Sequence, residues 1–235
     1  NRYGIGVVRP YRDNAQLFSM SSFEIRVDGY ETNVFDADVH AQLLHYQRNQ
    51  AVGSSIWFSL RELAEDLDLA PNGRNLQRVR ESIERLRDTT IDLRFRQGDA
   101  FYQYRGQLVL TFFREEHGSQ DRWAVELSKQ LIPLLAPGTQ ARYHVETDRR
   151  LKSNLAKYLL RFYATQTQAV FPMKVDTLRK FTGTHMPIRD FRRALKEALD
   201  ELQEVGVVTA WAIEDDKVRI VRPGEAGSLT HSKEA

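Results

Sequence analysis

Four cations, Arg189, Arg192, Arg193 and Lys196, fall at three- and four-residue spacing along one short stretch. On a helix that spacing gathers them on a single face. A guanidinium offers five N–H donors in a rigid fork and an ammonium offers three, and neither accepts a hydrogen bond. The chemistry they suit is anion recognition: phosphate oxygens, or the O6 and N7 acceptors of guanine, which one arginine can hold with two hydrogen bonds. Ile188, Phe191, Leu195, Ala198, Leu199 and Leu202 keep the same period on another side, so one helix both packs on a core and presents cations. Pro187 suits its first turn and Gly206 its end, which predicts a helix from Ile188 to Val205.

Other chemistries find less support. The histidines, His40, His45, His117, His144, His185 and His231, are scattered, with no HExxH and no pair in a metal-ligating context; His40 and His45 read as surface or core-edge residues. There is no cysteine, so disulfides, thiolate metal sites and thiol nucleophiles are excluded. A phosphate-cradling GxxxxGK[ST] loop is missing as well. Asp28, Glu31, Asp36 and Asp38 in DGYETNVFDAD suggest a metal-dependent nuclease at first sight, but an acidic surface loop running into a helix N-terminus explains them more simply. No enzyme, cofactor or metal is expected.

Charge is unevenly placed. From Arg149 to Lys196 twelve Lys or Arg face only Asp176 and Asp190, a net +10, while the other 22 basic and 30 acidic residues leave the rest of the chain at −8. A surface built only for solubility intersperses the two signs, so this asymmetry reads as a polyanion-binding face. No apolar run is long enough for a bilayer and no signal peptide is visible, which points to a soluble, cytoplasmic protein with no membrane partner. The chain begins at Asn1 rather than at a methionine, consistent with a trimmed protein whose missing N-terminal part has its own function.

The elements that must position these cations come in two similar sets. GIGVVRPYR, AQLFSM and SFEIRV read as strands, and Phe35 to Arg48 as a helix carrying Val39, Leu43, Leu44 and Tyr46. Ser59 with Glu62 is a capping box opening a short helix, and after the turn PNGRN a third helix carries Leu76, Val79, Ile83 and Leu86. TTIDLRF and YRGQLVLTFF then read as a hairpin turning at Gln97 to Asp99, with RWAVEL as a further strand. The second half repeats the order: SNLAKYLLRFYATQ, with Leu155, Tyr158, Leu159, Phe162 and Tyr163 on its packing side, the short helix VDTLRKFTG, the cationic helix, and a hairpin turning at Asp215 and Asp216.

Three helices and a terminal hairpin are the parts of a winged helix. The expected fold class is α+β with two tandem winged-helix domains: residues 1–145, residues 146–223, and a flexible tail at 224–235. In such a domain the third helix enters the DNA major groove and the hairpin, or wing, reaches phosphates or a neighbouring groove. Arg189, Arg192, Arg193 and Lys196 are then the base readers. Lys174, Thr177, Arg179 and Lys180 on the short helix, Lys152 and Lys157 on the long one, and Lys217 with Arg219 on the wing contact phosphates. In the first half Arg74, Arg78 and Arg85 lie on the exposed side of the third helix, diluted by Glu81 and Glu84; Arg74, Asn75 and Arg78 are expected to make auxiliary DNA contacts. The aromatics Phe101, Tyr102 and Tyr104 of the first hairpin read as core or sheet packing rather than a base-stacking platform.

FSLRELAEDL and LQRVRESIERLRDTTIDLRF in the first half, with LLRFYATQ, PMKVDTLRKFTG and FRRALKEALDEL in the second, resemble the TrfA-type plasmid replication initiators over Tyr3 to Val221. The resemblance implies tandem winged-helix domains that bind repeated origin sequences called iterons in duplex DNA and help open adjacent AT-rich DNA, with single-stranded origin DNA as a further partner. It also implies recruitment of host replication proteins (initiator, helicase, sliding clamp) and a monomer–dimer switch in which the first domain dimerises. The family's clamp-binding motif is of the QLSLF kind; QLFSM, Gln16 to Met20, keeps only Gln-Leu followed by apolar residues, and a strand of the first domain explains it better. The alternative is a winged-helix transcriptional regulator, which as a symmetric dimer requires a palindrome.

Overall fold

The computed structural model describes residues 11–20, 23–48, 54–97, 99–117, 120–129, 145–164, 166 and 170–224. The chain divides into two compact units, Asn1–Ala136 and Pro137–Ala235. The first runs β1 (Tyr11–Met20), β2 (Phe23–Tyr30), α1 (Val34–Gln47), β3 (Ile56–Phe58), α2 (Leu60–Asp66), α3 (Gly73–Asp88), β4 (Thr90–Gln97), β5 (Ala100–Gln107), β6 (Val109–His117) and β7 (Gln120–Leu127). The second runs α4 (Val145–Arg150), α5 (Asn154–Ala164), β8 (Met173–Lys174), α6 (Val175–Phe181), α7 (Ile188–Glu204), β9 (Ala210–Glu214) and β10 (Lys217–Val221).

Short polar side chains start the helices of the first unit. Asn33, Ser59 and Asn72 each accept a bond from the backbone N–H three residues on, and Asp36 and Glu62 return it in the first two. Val39 and Leu43 of α1, Leu63 of α2 and Val79, Ile83 and Leu86 of α3 meet in one core, closed by Ile56, Phe58, Trp123 and Val125 from a sheet of order β3-β7-β6. The second unit repeats the plan. Leu159, Leu160 and Tyr163 of α5, Leu178 of α6 and Phe191, Leu195, Leu199 and Leu202 of α7 pack with Val218 and Ile220 from a sheet of order β8-β10-β9. In both, a strand ahead of the short helix pairs with the last strand of the hairpin. These two short strands are additions to the elements read from sequence.

The first hairpin needs correction. YRGQLVLTFF is not one strand: Tyr104 to Gln107 end β5, Leu108 leaves the ladder, and Val109 begins β6. β4 and β5 join β1 and β2 in a separate sheet of order β1-β2-β4-β5, and β6 with β7 is the hairpin that closes the helical core. Tyr104 fixes this corner by donating its hydroxyl hydrogen to the Gln107 carbonyl (2.8 Å), with Ser128 Oγ 2.9 Å away. A Cβ on Gly106 would lie 2.5 Å from that hydroxyl, so any larger residue there would displace the Tyr104 side chain from the corner. Apolar alternation runs straight through the corner, which is why the pattern alone does not reveal it.

Gln16 to Met20 lie within β1. The Gly4–Arg12 strand expected from sequence falls outside the described residues except for Tyr11 and Arg12, and so does the tail beyond Gly224.

Candidate nucleic-acid interface

Helix α7 is amphipathic in the required sense. Phe191, Leu195, Ala198, Leu199 and Leu202 are buried, while Arg189, Arg193 and Lys196 are exposed and Arg192 is about half so. Ile188, expected on the apolar stripe, is instead exposed, because the first residue of the helix lies beyond the end of the core. Arg189, Arg192, Arg193 and Lys196 line one open depression of about 390 Å³ whose far wall is Ile213 of β9. Pro187 precedes the helix without a side-chain cap, so its first amides are not satisfied in the way α1, α2 and α3 are.

The four cations differ in what holds them. Arg189 and Lys196 have no ion-pair partner among the described residues, and Arg193, 76% exposed, has only Asp190 at 3.8 Å. Arg192 is different: its Nη2 donates to the Asp216 carboxylate at 2.6 Å. Asp216 sits in the two-residue turn between β9 and β10, where Asp215 and Asp216 have φ of +48° and +61°, the left-handed pair of a type I′ hairpin. Its carbonyl also accepts from the Val175 amide at 2.9 Å, fastening the turn to the start of α6. The turn is legible in its own residue types, but the place of its carboxylate on the cationic face is not.

The phosphate-contact candidates separate into two groups. Lys174, Lys217 and Lys152 are exposed, and Lys174 stands directly opposite Lys217 across β8 and β10. Thr177 is half-buried on α6. Arg219 faces Glu214 at 3.7 Å. Lys180 and Arg179 both reach Asp176 (2.8 and 2.9 Å), and these two cations hold its carboxyl below the usual range. Arg179 Nη1 also donates to the Met186 carbonyl at 3.3 Å, bracing the turn into α7. Lys157 lies away from the displayed set: only 19% exposed, it pairs at 3.6 Å with the buried Asp148, which also takes Arg161 at 2.9 Å. Arg161 belongs to the +10 segment, while Asp148 lies one residue outside it.

In the first unit Arg74 is exposed, but the Asn75 amide donates to the Ala70 carbonyl (2.8 Å) and Arg78 lies 3.7 Å over the Phe35 ring. Arg85, expected on the exposed side, is turned inward: its Nη2 meets Asp36 at 2.6 Å, and Ser82 Oγ donates to the same carboxylate at 2.7 Å. Asp36 is therefore a buried partner rather than part of an acidic surface loop. Burial pushes the His40 imidazole down to about 4. Phe101, 72% exposed, and Tyr102 stand outside the core on β5, contrary to their reading as packing residues. Trp57 and Phe113 form a second exposed aromatic pair, edge to face, on the outer side of the β3-β7-β6 sheet.

Among the described residues, no group of His, Cys, Asp or Glu is arranged to hold a metal ion. No described helix is long and apolar enough to cross a membrane.

The family model of TrfA protein matches residues 7–222. This chain belongs to the TrfA family. The plasmid replication initiator protein TrfA of Escherichia coli is 25% identical over 221 residues, covering 92% of this chain and 56% of that protein, so the chain spans just over half the length of this curated relative. Among solved structures, a selenomethionine derivative of domains 2 and 3 of RctB is similar, with a TM-score of 0.62 at 15% identity, covering 84% of this chain and 80% of the other. A second crystal structure of RctB domains 2–3 gives 0.59 at 13% identity over 84% and 79% of the two chains. These likenesses support a mixed α+β architecture with small sheets.

Proposed function

We propose that this chain is the DNA-binding part of a plasmid replication initiator, made of two tandem winged-helix domains, which binds iterons in duplex origin DNA and has no enzymatic activity of its own. The carrying observation is the depression lined by Arg189, Arg192, Arg193 and Lys196 on the side of α7 away from its core residues. Lys174, Lys217 and Lys152 supply exposed charge for phosphates around it. Of the first-unit candidates, Arg74 is the one displayed for an auxiliary contact. The first unit serves self-association, a role supported by Phe101 and Tyr102 exposed on β5, an end strand of its sheet. Opening of AT-rich DNA and recruitment of host initiator, helicase and clamp in the cytoplasm complete the proposal.

The test is binding to a duplex from a plasmid origin over a range of salt. With about six phosphate contacts, affinity should fall by about three orders of magnitude between low and moderate salt. A nearly flat titration overturns the proposal. Footprinting on the same origin should give protected direct repeats; a single palindrome would favour a dimeric regulator instead.

A further inference from the structure

An acid beside the readers on a DNA-facing surface is an anomaly. Asp216 places a carboxylate 2.6 Å from Arg192, with Asp215 beside it in the turn and Glu214 at the end of β9. For attraction to phosphates a carboxylate there is unfavourable. For stability it contributes little, since both side chains are 43% exposed and solvent screens pairs so exposed.

We propose that Asp216 is a specificity-determining residue: it holds the Arg192 guanidinium in a fixed orientation so that the remaining donors address a base edge. The inference rests on α7 being the DNA-reading helix. A free arginine samples many rotamers, and a base contact must freeze them out. The Asp216 bond does that in advance, taking one donor of Nη2 while Nε and Nη1 have no partner among the described residues. The turn that carries the carboxylate is itself held firmly. The Asp216 backbone is set by the left-handed turn, by the Val175 amide on its carbonyl, and by Lys217 pairing with Lys174 on β8. Arg192 is thus tied through Asp216 to the β9–β10 turn and the start of α6. Arg189, Arg193 and Lys196 lack a comparably short bond, so they are aimed only once a base is in reach, whereas Arg192 is pre-aimed.

The experiment compares binding of the full chain to a duplex selected by wild-type protein from a randomised pool and to a scrambled duplex of the same composition. Asp216→Gly removes the carboxylate and leaves Asp-Gly, a dipeptide favoured in type I′ turns, so the hairpin is retained. Simple electrostatics predicts tighter binding to both duplexes on losing an acid. The proposal predicts that scrambled DNA binds as well or better while the ratio of selected to scrambled affinity falls roughly tenfold. Asp215→Asn removes a charge one residue away and should raise both affinities without changing the ratio. Arg192→Lys keeps the charge and loses the fork; it should lower the ratio as Asp216→Gly does, and the double variant should go no lower than either.

A Gly variant with an unchanged ratio, or one that behaves as Asp215→Asn does, overturns the proposal. Should Asp216→Gly lose its thermal transition, the ratio in Arg192→Lys decides in the same sense. A wild-type chain that does not discriminate between the duplexes removes the reading role of α7 and this inference with it. A discriminating wild type with indifferent variants removes this inference alone.

Discussion

Helices α3 and α7 hold the same place in two units of like topology, yet they use most of their arginines in opposite ways. On α3, Arg78 covers Phe35, Arg80 pairs with Glu84, Arg85 reaches the buried Asp36, and Arg87 pairs with Asp88 and lies over Phe112. On α7, Arg189 and Lys196 have no partner among the described residues, Arg193 has only a distant one, and Arg192 is held by Asp216. An arginine whose fork is occupied by a carboxylate or a ring must break that contact before it can meet a phosphate. Arginine count is therefore a poor guide to DNA affinity. What separates the two helices is acids within reach: Asp36, Glu84 and Asp88 around α3, against Asp190 and Asp216 around α7.

The contrast is most easily broken at Asp36. This carboxylate is fully buried and receives Arg85, Ser82 and the Asn33 amide, so Asp36→Ala leaves a largely buried guanidinium without its counter-charge. Removing one partner of a buried pair costs roughly 3–5 kcal/mol, and a urea titration should show loss of that order. Asp216→Gly, at an exposed pair, should stay within about 1 kcal/mol of wild type in the same titration. Equal losses would mean that the two arginine sets are not different in kind.

A smaller effect sharpens the functional side. Arg193→Ala should cost about 1–3 kcal/mol on a selected duplex and much less on scrambled DNA. Arg78→Ala should change DNA binding little and instead lower stability by about 0.5–2 kcal/mol, the contribution of a cation–π contact between a half-buried arginine and a buried ring. If Arg78→Ala weakens DNA binding as much as Arg193→Ala does, the first unit reads DNA too, and the division of labour between the units is wrong.

Periodicity made α7 legible almost to the residue: a helix expected over Ile188 to Val205 is observed over Ile188–Glu204, and the Asp215–Asp216 turn follows from its own residue types. What it misses is partnership across the chain. Asp36 and Arg85 are 49 residues apart, Arg192 and Asp216 are 24 apart, and no local pattern joins them. Arg85 looks exposed on a helical wheel because its neighbours are polar, although the groove between α1 and α3 holds a buried acid that draws it inward. The β5–β6 corner is hidden for a related reason. Its cause is a hydroxyl from Tyr104 reaching Gln107 and Ser128, a tertiary contact within an otherwise continuous alternation.

The finest distinction within the second unit is between lysines. Lys174 and Lys217 face each other across neighbouring strands, and like charges so placed repel, by a few tenths of a kcal/mol up to about 1. Replacing one with alanine should therefore leave the free protein slightly more stable. On DNA the same change removes one phosphate contact, so affinity should fall by similar factors on any sequence and the salt slope should drop by about 0.9. Opposite signs in the two measurements are hard to obtain from a merely structural residue. Lys157→Ala should do the reverse, lowering stability through Asp148 while leaving the salt slope unchanged. If Lys157→Ala reduces the slope as Lys174→Ala does, the phosphate path extends onto α5 and the Asp148 pair opens on binding.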